Sequence, residues 1–145
     1  MDNTDNFFMR QAILEAHRAL DRGEVPIGAV MVCGGRIVGR GHNMVETLSD
    51  ATAHAEMQAI TAATTTLGSK YLPDCTLYVT LEPCPMCAGA LAWSQVGRVV
   101  YGAADPKSGY GRFGGGLLHP KTGVSSGILE DECAGLIKDF FSKRR

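Results

Sequence analysis

Two short clusters of residue types that bind metals constrain this chain more than any other feature of its sequence. The first reads His-Ala-Glu and contains His54 and Glu56, and the second reads Pro-Cys-Pro-Met-Cys and contains Cys84 and Cys87. One imidazole and two thiols supply three ligands to a zinc ion and leave its fourth position open to water. A carboxylate beside the imidazole can move the protons of that water. We therefore predict that the histidine and both cysteines bind Zn²⁺ and that Glu56 is the catalytic residue.

The spacing within each cluster places it at the start of a helix. His54 and Glu56 are two residues apart, and side chains two apart point in nearly opposite directions in the middle of a helix. They can serve one site only from a first turn, and we predict a helix over residues 53–67. The two cysteines are three apart, share one helix face and begin a helix predicted over residues 85–94. Two helices whose amino ends meet over one sheet edge would bring all three ligands to one ion.

A Cys-x-x-Cys pair alone also fits a structural zinc site or a redox pair. A structural site needs a fourth protein ligand, and Cys75, Cys133 or His119 would have to supply it. A redox pair would not explain the upstream histidine and glutamate. The presence of both clusters favours a catalytic zinc site with an open position.

Length and composition predict one globular domain over residues 1–145. Apolar residues make up 45% of the chain and charged residues 20%, which is ordinary for a soluble domain. No apolar run approaches the ~18 residues that span a bilayer, and the acidic, polar amino end is unlike a targeting segment. These features predict a cytoplasmic protein without a membrane anchor. The odd number of cysteines, five, argues against a disulfide framework.

The charge of the chain is nearly balanced, with a formal net value of −1. A dedicated nucleic-acid-binding protein usually carries a strong basic excess. Here the positive charge is concentrated at the carboxyl end, in Lys138, Lys143, Arg144 and Arg145. This pattern predicts a small contact with phosphate rather than a long basic groove, although a solvated helix end fits the same charges.

The pattern of apolar residues predicts alternating helices and strands. Beyond the two helices above, we predict helices over 5–22 and 130–143, strands over 27–32, 36–40, 76–81 and 98–101, and a loop over 41–51. The paired glycines at 34 and 35 predict a tight hairpin between the first two strands. The last two strands flank one helix, which favours parallel pairing. Trp93 lies in an apolar helix and is assigned to the core. Residues 102–127 are predicted to be mostly irregular, because seven of the nineteen residues from 109 to 127 are glycine.

At these motifs the chain resembles the cytidine deaminase superfamily, and within it the bacterial tRNA-specific adenosine deaminases. Zinc-dependent nucleobase deaminases carry the same H-x-E and P-C-x-x-C signature. The resemblance covers nearly the whole chain. It is carried by Glu-Val-Pro-Ile-Gly-Ala at 24–29, Ala-His-Ala-Glu at 53–56, Leu-Tyr-Val-Thr-Leu-Glu-Pro-Cys at 77–84, and the terminal segment 127–145.

The resemblance implies a fold, a reaction and partners. The implied fold is a three-layer α/β/α arrangement with a mixed five-stranded sheet. The implied reaction is zinc-dependent conversion of adenosine to inosine at the first position of a tRNA anticodon. The family likeness also implies a homodimer in which the neighbouring chain walls part of each pocket.

The resemblance also implies a set of residues that bind the substrate. Asn43 occupies the place of the asparagine that holds the target nucleoside, and aromatic side chains of the terminal helix are placed to stack on unpaired bases. The residues assigned to substrate binding on these grounds are Ile27, Asn43, Asp105, Lys107, Phe140, Phe141 and Arg144.

The chain departs from the family pattern between residues 105 and 127. This stretch is several residues shorter than is usual, and Leu-His-Pro at 118–120 stands where the family often has an Asn-His pair. Two other functions therefore remain as alternatives. One is deamination of a free base or nucleoside, since guanine deaminases share His-Ala-Glu and Glu-Pro-Cys-Pro-Met-Cys. The other is a zinc-stabilised RNA-binding or scaffold protein without catalysis.

Overall fold

The computed structural model describes residues 3–143 and contains five helices, five strands and one short 3-10 helix in that range. The first half of this range contains α1 (Thr4–Asp21), β1 (Gly28–Cys33), β2 (Arg36–His42), α2 (Val45–Leu48) and α3 (Ala55–Leu67). The second half contains β3 (Cys75–Leu81), α4 (Pro85–Trp93), β4 (Arg98–Ala103), the 3-10 helix Tyr110–Phe113, β5 (Gly123–Ser126) and α5 (Glu130–Ser142).

The five strands form one mixed sheet in the order β2-β1-β3-β4-β5. β1 pairs antiparallel with both β2 and β3, whereas β3 and β4 are parallel, as are β4 and β5. The β1–β2 hairpin turns through Gly34 and Gly35, whose φ angles of 60° and 76° are those a tight two-residue turn needs. The predicted hairpin, the parallel pairing of β3 with β4 and the mixed five-stranded sheet are confirmed.

Helices cover both faces of the sheet and complete the expected three layers. Successive strand residues point to opposite faces, so Val30 and Tyr78 pack in a cluster with α1 and α5, whereas Met31 and Leu77 pack in a cluster with α3 and α4. The strands are therefore apolar on both faces, which is the pattern of a sheet buried between two helical layers.

The sequence prediction is wrong about parts of two segments. The helix α2 lies in the stretch from 41 to 51 that was assigned to a loop, and β5 lies inside the predicted irregular segment. β5 has only four residues, Gly-Val-Ser-Ser, without an apolar alternation, and its pairing with β4 defines it. Short edge strands of this kind depend on contacts distant in sequence, which a local pattern does not report.

Trp93 is not in the core, contrary to prediction. Its side chain is 84% exposed at the end of α4. The helix is apolar on all sides, so composition alone did not indicate which face would be buried. No helix in the described range is both long and apolar enough to cross a membrane.

Asp5 joins α1 to three strands of the sheet. Its carboxylate accepts hydrogen bonds from the Tyr78 hydroxyl at 2.7 Å and from the two terminal nitrogens of Arg98 at 2.9 and 2.8 Å. Arg98 also donates to Ser125 Oγ of β5 at 2.9 Å. The hydrogen bond from Arg98 is the main reason that the pKa of Asp5 lies below its usual value, and the one from Tyr78 adds to the effect.

We expect the substitution Asp5→Asn to lower the free energy of unfolding by roughly 1–3 kcal/mol at neutral pH, because a charge-assisted pair is lost. Since the folded pKa is depressed, this stabilisation is present above the unfolded value of about 3.9 and is lost as the pH falls through the folded value. Urea denaturation at successive pH values measures it. Asp139→Asn, which breaks the exposed pair with Lys143, is the control and should change stability by less than about 0.5 kcal/mol.

Candidate active site and metal centre

Three predicted metal ligands meet where the amino ends of α3 and α4 converge. His54 is the N-cap of α3, with extended backbone angles of −76° and 157°, and Cys84 is the N-cap of α4, with angles of −72° and 168°. Cys87 follows in the first turn of α4 and is buried. The spacing argument therefore placed both clusters correctly at helix starts.

The distances between these side chains suit a zinc ion. His54 Nδ1 lies 3.5 Å from Sγ of Cys84 and 3.5 Å from Sγ of Cys87, and all three ligand atoms lie within 4.8 Å of one another. Tetrahedral bonds of about 2.3 Å to sulfur and about 2.05 Å to nitrogen separate such ligand atoms by about 3.6 Å. The donor set, two thiols and one imidazole, also has the softness that zinc prefers over harder ions.

No fourth protein ligand joins this group among residues 3–143. Cys133 packs in the core between α5 and the sheet, Cys75 packs in the core on the other face, and His119 Nδ1 accepts a hydrogen bond from the amide of Lys121. The arrangement is therefore that of a three-ligand site with one open position, which is typical of catalytic rather than structural zinc.

The surroundings of the two thiols favour the thiolate form of Cys84. Hydrogen bonding to Cys87 is the main cause that lowers the pKa of Cys84 to about 4, and His54 adds to the effect against burial. The same hydrogen bond between the sulfurs, together with burial, raises the pKa of Cys87. These opposite shifts describe one proton shared between two thiols. The hydrogen bond with Cys84 is also the main cause that raises the pKa of His54, which reflects the negative charge of the nearby thiolate.

Glu56 lies in the first turn of α3 with its side chain buried. Burial raises the pKa of this carboxyl to about 7, while the neighbouring charges of Cys84 and His54 act in opposite directions. A carboxyl group with a pKa near neutrality can both accept and donate a proton at physiological pH, which acid–base catalysis requires. Its position beside the three ligands agrees with the role predicted from the sequence.

One cavity reaches this centre through His54, and a second cavity adjoins the first. The first has a volume of about 440 Å³ and is lined by His54 together with Ile27, Asn43, Phe140 and Phe141. The second has a volume of about 510 Å³ and is lined by Asp105 and Lys107. The two share Val25, Ile27 and Phe141. The structure thus brings each described substrate-binding candidate to one continuous cleft, whereas Arg144 lies outside the described residues.

Asn43 is held in the wall of the first cavity by main-chain contacts. Its side-chain nitrogen donates to Val25 O at 3.4 Å, its side-chain oxygen accepts from Val45 N at 3.4 Å, and its own amide donates to Ile27 O at 3.1 Å. The side chain is 7% exposed. An amide fixed in this way presents its remaining hydrogen-bonding capacity to the cavity.

Glu24 is a residue of this cleft to which sequence reasoning gave no individual role. It is buried and accepts hydrogen bonds from Glu46 N at 3.1 Å, Thr47 N at 2.6 Å and Thr47 Oγ1 at 2.7 Å. Burial acts to raise the pKa of this carboxyl, but the hydrogen bonds, those from Thr47 first, lower it overall. Glu24 thereby fixes α2 beside Asn43. Its only sequence signal was membership of the Glu-Val-Pro segment.

The fold and the site define a zinc-dependent deaminase. The family model for the cytidine and deoxycytidylate deaminase zinc-binding region matches residues 2–103. The tRNA-specific adenosine deaminase of Bacillus subtilis (strain 168) is 49% identical over 97% of this chain and 91% of its own length. The chain belongs to the cytidine and deoxycytidylate deaminase family and, within it, to the tRNA-specific adenosine deaminases.

Solved structures agree with this placement. A structure from work on A-to-I editing by tRNA:A34 deaminases at the wobble position matches with a TM-score of 0.84 and 44% identity, over 90% of this chain and 98% of that one. A crystal structure of guanine deaminase from Bacillus subtilis matches with a TM-score of 0.66 and 42% identity, over 72% of this chain and 66% of that one. The first likeness extends over more of both chains.

We expect Cys87→Ser to reduce the zinc content of the purified protein to below about a tenth of one equivalent, because loss of one of three protein ligands weakens binding by many fold. Zinc per chain, measured by mass spectrometry of the metal after dialysis, tests this. Cys75→Ser changes a buried cysteine outside the group and should leave zinc near one equivalent. Equal zinc in both variants would contradict the assignment of the ligands.

Proposed function

We propose that this chain is a zinc-dependent enzyme that converts adenosine to inosine at the wobble position of a tRNA anticodon loop. The observation that carries the proposal is the shape of the cleft: α5 sets Phe140 and Phe141 into the wall of the cavity beside His54, and a second cavity continues past Phe141. Two adjoining cavities fit a target base together with a neighbouring nucleotide. One closed pocket would fit a free base better.

In the proposed reaction water replaces the amino group of adenine, giving inosine and ammonia. His54, Cys84 and Cys87 would hold the zinc ion, which when bound would lower the pKa of the water from about 15.7 towards ~7. Glu56 accepts one proton from the water and delivers it to the ring nitrogen beside the attacked carbon. It then accepts the second proton of that water, from the hydroxyl now on the attacked carbon, and gives it to the amino group, which leaves as ammonia. One carboxylate acting first as a base and then as an acid matches a group whose pKa is about 7.

The cleft provides the contacts that a flipped nucleotide needs. A base in a single-stranded loop leaves its stack at low cost, which makes an anticodon loop a favourable substrate. Phe141 is 51% exposed, and stacking of one base on an aromatic ring contributes ~1–3 kcal/mol. In this proposal Asn43 and Ile27 hold the target nucleoside, Asp105 and Lys107 meet the flanking strand, and Arg144 contacts phosphate.

Two other functions are alternatives to this one. Deamination of a free base remains the second candidate, because the guanine deaminase structure is 42% identical over the part that it matches. A zinc-stabilised scaffold without catalysis has less support, since the matching relative is named as a deaminase and no fourth ligand joins the three donors among residues 3–143.

A substrate panel tests the proposal. We expect the purified zinc protein to form inosine in an anticodon stem-loop with adenosine at the wobble position, and to release no ammonia from adenine, adenosine, guanine or cytosine. Glu56→Gln should keep its zinc while the rate falls about 10²–10⁴-fold, the usual contribution of acid–base catalysis. Glu130→Gln, on the exposed start of α5, is the control. Ammonia released only from the free compounds would overturn the tRNA assignment.

We further propose that the enzyme acts in the cytoplasm as a homodimer of one-domain chains. The support for a dimer is the outer face of α4, where Met86, Gly89, Ala90 and Trp93 recur at the spacing of one helical stripe. This stripe is apolar and partly to fully exposed, although the opposite face of α4 is buried. A helix that is apolar all round is normally buried on all sides, and a second copy of the chain would cover this stripe.

We expect Trp93→Glu to weaken self-association at least ~30-fold, the loss typical of one central aromatic contact worth about 2 kcal/mol. Sedimentation velocity over a range of protein concentrations measures the dissociation constant. Leu14→Glu, which alters an apolar residue of α1 that is 52% exposed, is the matched control and should leave association unchanged. A protein that is monomeric without any substitution would refute the dimer.

A further inference from the structure

The carboxylate of Glu82 is the point around which residues 105–111 fold. Glu82 follows the last residue of β3 and is 8% exposed. One carboxylate oxygen accepts a hydrogen bond from Asp105 N at 2.9 Å, and the other accepts from Gly111 N at 2.8 Å. One buried side chain therefore binds both ends of the segment 105–111. We call this segment the Glu82 loop.

Two glycines of the loop lie against that carboxylate. A Cβ atom at Gly111 would lie 2.8 Å from the nearer oxygen of Glu82, and a Cβ atom at Gly109 would overlap the carboxylate carbon. Real Cβ atoms do not approach so closely, so only glycine lets the main chain pass over Glu82 here. Gly115 differs, because a Cβ atom there would meet nothing within 4 Å. Contact with Glu82 therefore requires glycine at positions 109 and 111 but not at position 115.

The loop is joined to the metal-ligand segment as well as to Glu82. The amide of Tyr110 donates to Pro83 O at 2.8 Å, and the amide of Glu82 donates to Ala103 O at 2.8 Å. Pro83 immediately precedes the ligand Cys84. The ion pairs of residues 3–143 involve other carboxylates, so main-chain amides are what satisfy this buried group. Removing such donors lowers the stability of the fold, because a buried carboxylate is then left without hydrogen bonds.

We propose that Glu82 is a positioning residue for RNA recognition. By holding the Glu82 loop, Glu82 fixes Asp105 and Lys107 in the wall of the second cavity. Because the metal ligand Cys84 is only two residues after Glu82, this also fixes the position of the loop relative to the zinc centre. This inference rests on the proposed function, because it assigns the second cavity to the strand that flanks the target nucleotide. Glu82 acts on binding of that strand, whereas Glu56 acts on the chemistry.

Glu82→Gln is the first test, since glutamine keeps the size of the side chain but replaces one accepting oxygen with an amino group. One of the two loop amides then loses its acceptor. We expect KM for the anticodon stem-loop to rise about tenfold, which corresponds to one lost charge-assisted hydrogen bond. We expect kcat to change less than about threefold and zinc to stay near one equivalent. Hydrogen exchange of residues 104–113 should accelerate while that of α3 stays the same.

Gly111→Ala is the second test and presses a methyl group onto the same carboxylate from the other side. It should raise KM and accelerate exchange in the same segment, and it keeps the proposal testable if Glu82→Gln does not fold. Gly115→Ala is the matched control in the same region, with open space for the methyl group, and should behave like the natural protein.

The outcomes separate this inference from the function on which it rests. An unchanged KM and unchanged exchange in Glu82→Gln, with an active natural protein, would overturn the role of Glu82 alone. Loss of zinc from Glu82→Gln would also overturn it, because the residue would then act on the metal centre. A natural protein that fails on the stem-loop would refute the proposed function, while hydrogen exchange would still report whether Glu82 holds the loop.

Discussion

The site depends on two helices that begin at the same place. His54 and Cys84 are the N-caps of α3 and α4. α4 starts just after β3, whose place in the sheet is set by antiparallel pairing with β1 and parallel pairing with β4, and α3 packs against β2. Helix amino ends carry a partial positive charge that stabilises thiolate and carboxylate groups. The 3.5 Å separations between imidazole and sulfur would be lost if either helix began a turn later. The sheet therefore supports the site by holding the amino ends of α3 and α4 close together.

Three buried glutamates surround the cleft and show how the surroundings decide a carboxyl group's role. Burial is the main influence on the pKa of Glu56 and raises it to about 7, which suits this carboxyl to proton transfer. Glu24 is also buried, but hydrogen bonds from Thr47 and Glu46 lower its pKa and make it a fixed anchor for α2. Glu82 is likewise anchored by amides, those of the loop that starts at Asp105. Burial without enough donors yields an acid–base group, and burial with donors yields an anchor.

Local spacing predicted the centre well, because a ligand set at helix starts is a short-range property. The helix starts that carry His54, Cys84 and Cys87 could be predicted from the spacing within each cluster, and the hairpin through Gly34 and Gly35 from its turn residues. β5 could not be predicted, since it exists through pairing with β4. Trp93 was assigned to the core because an apolar side chain looks alike in sequence whether it is buried or exposed on a surface. The anchoring role of Glu82 needed the path of a loop more than twenty residues away.

The charge of the chain bears on how such a cleft can hold RNA. A net charge of −1 leaves little general attraction for phosphate, so counterion release can supply only a small part of the affinity. In the proposed binding mode, stacking on Phe141 and the fit of two cavities would supply most of the affinity. A binding mode of that kind requires walls that are already in place, because ordering them on binding would subtract from the affinity. Glu24 lines the first cavity and holds α2 beside it, and Glu82 holds the loop whose Asp105 and Lys107 line the second cavity. Preorganised walls therefore matter more in this enzyme than in a basic protein that can rely on charge.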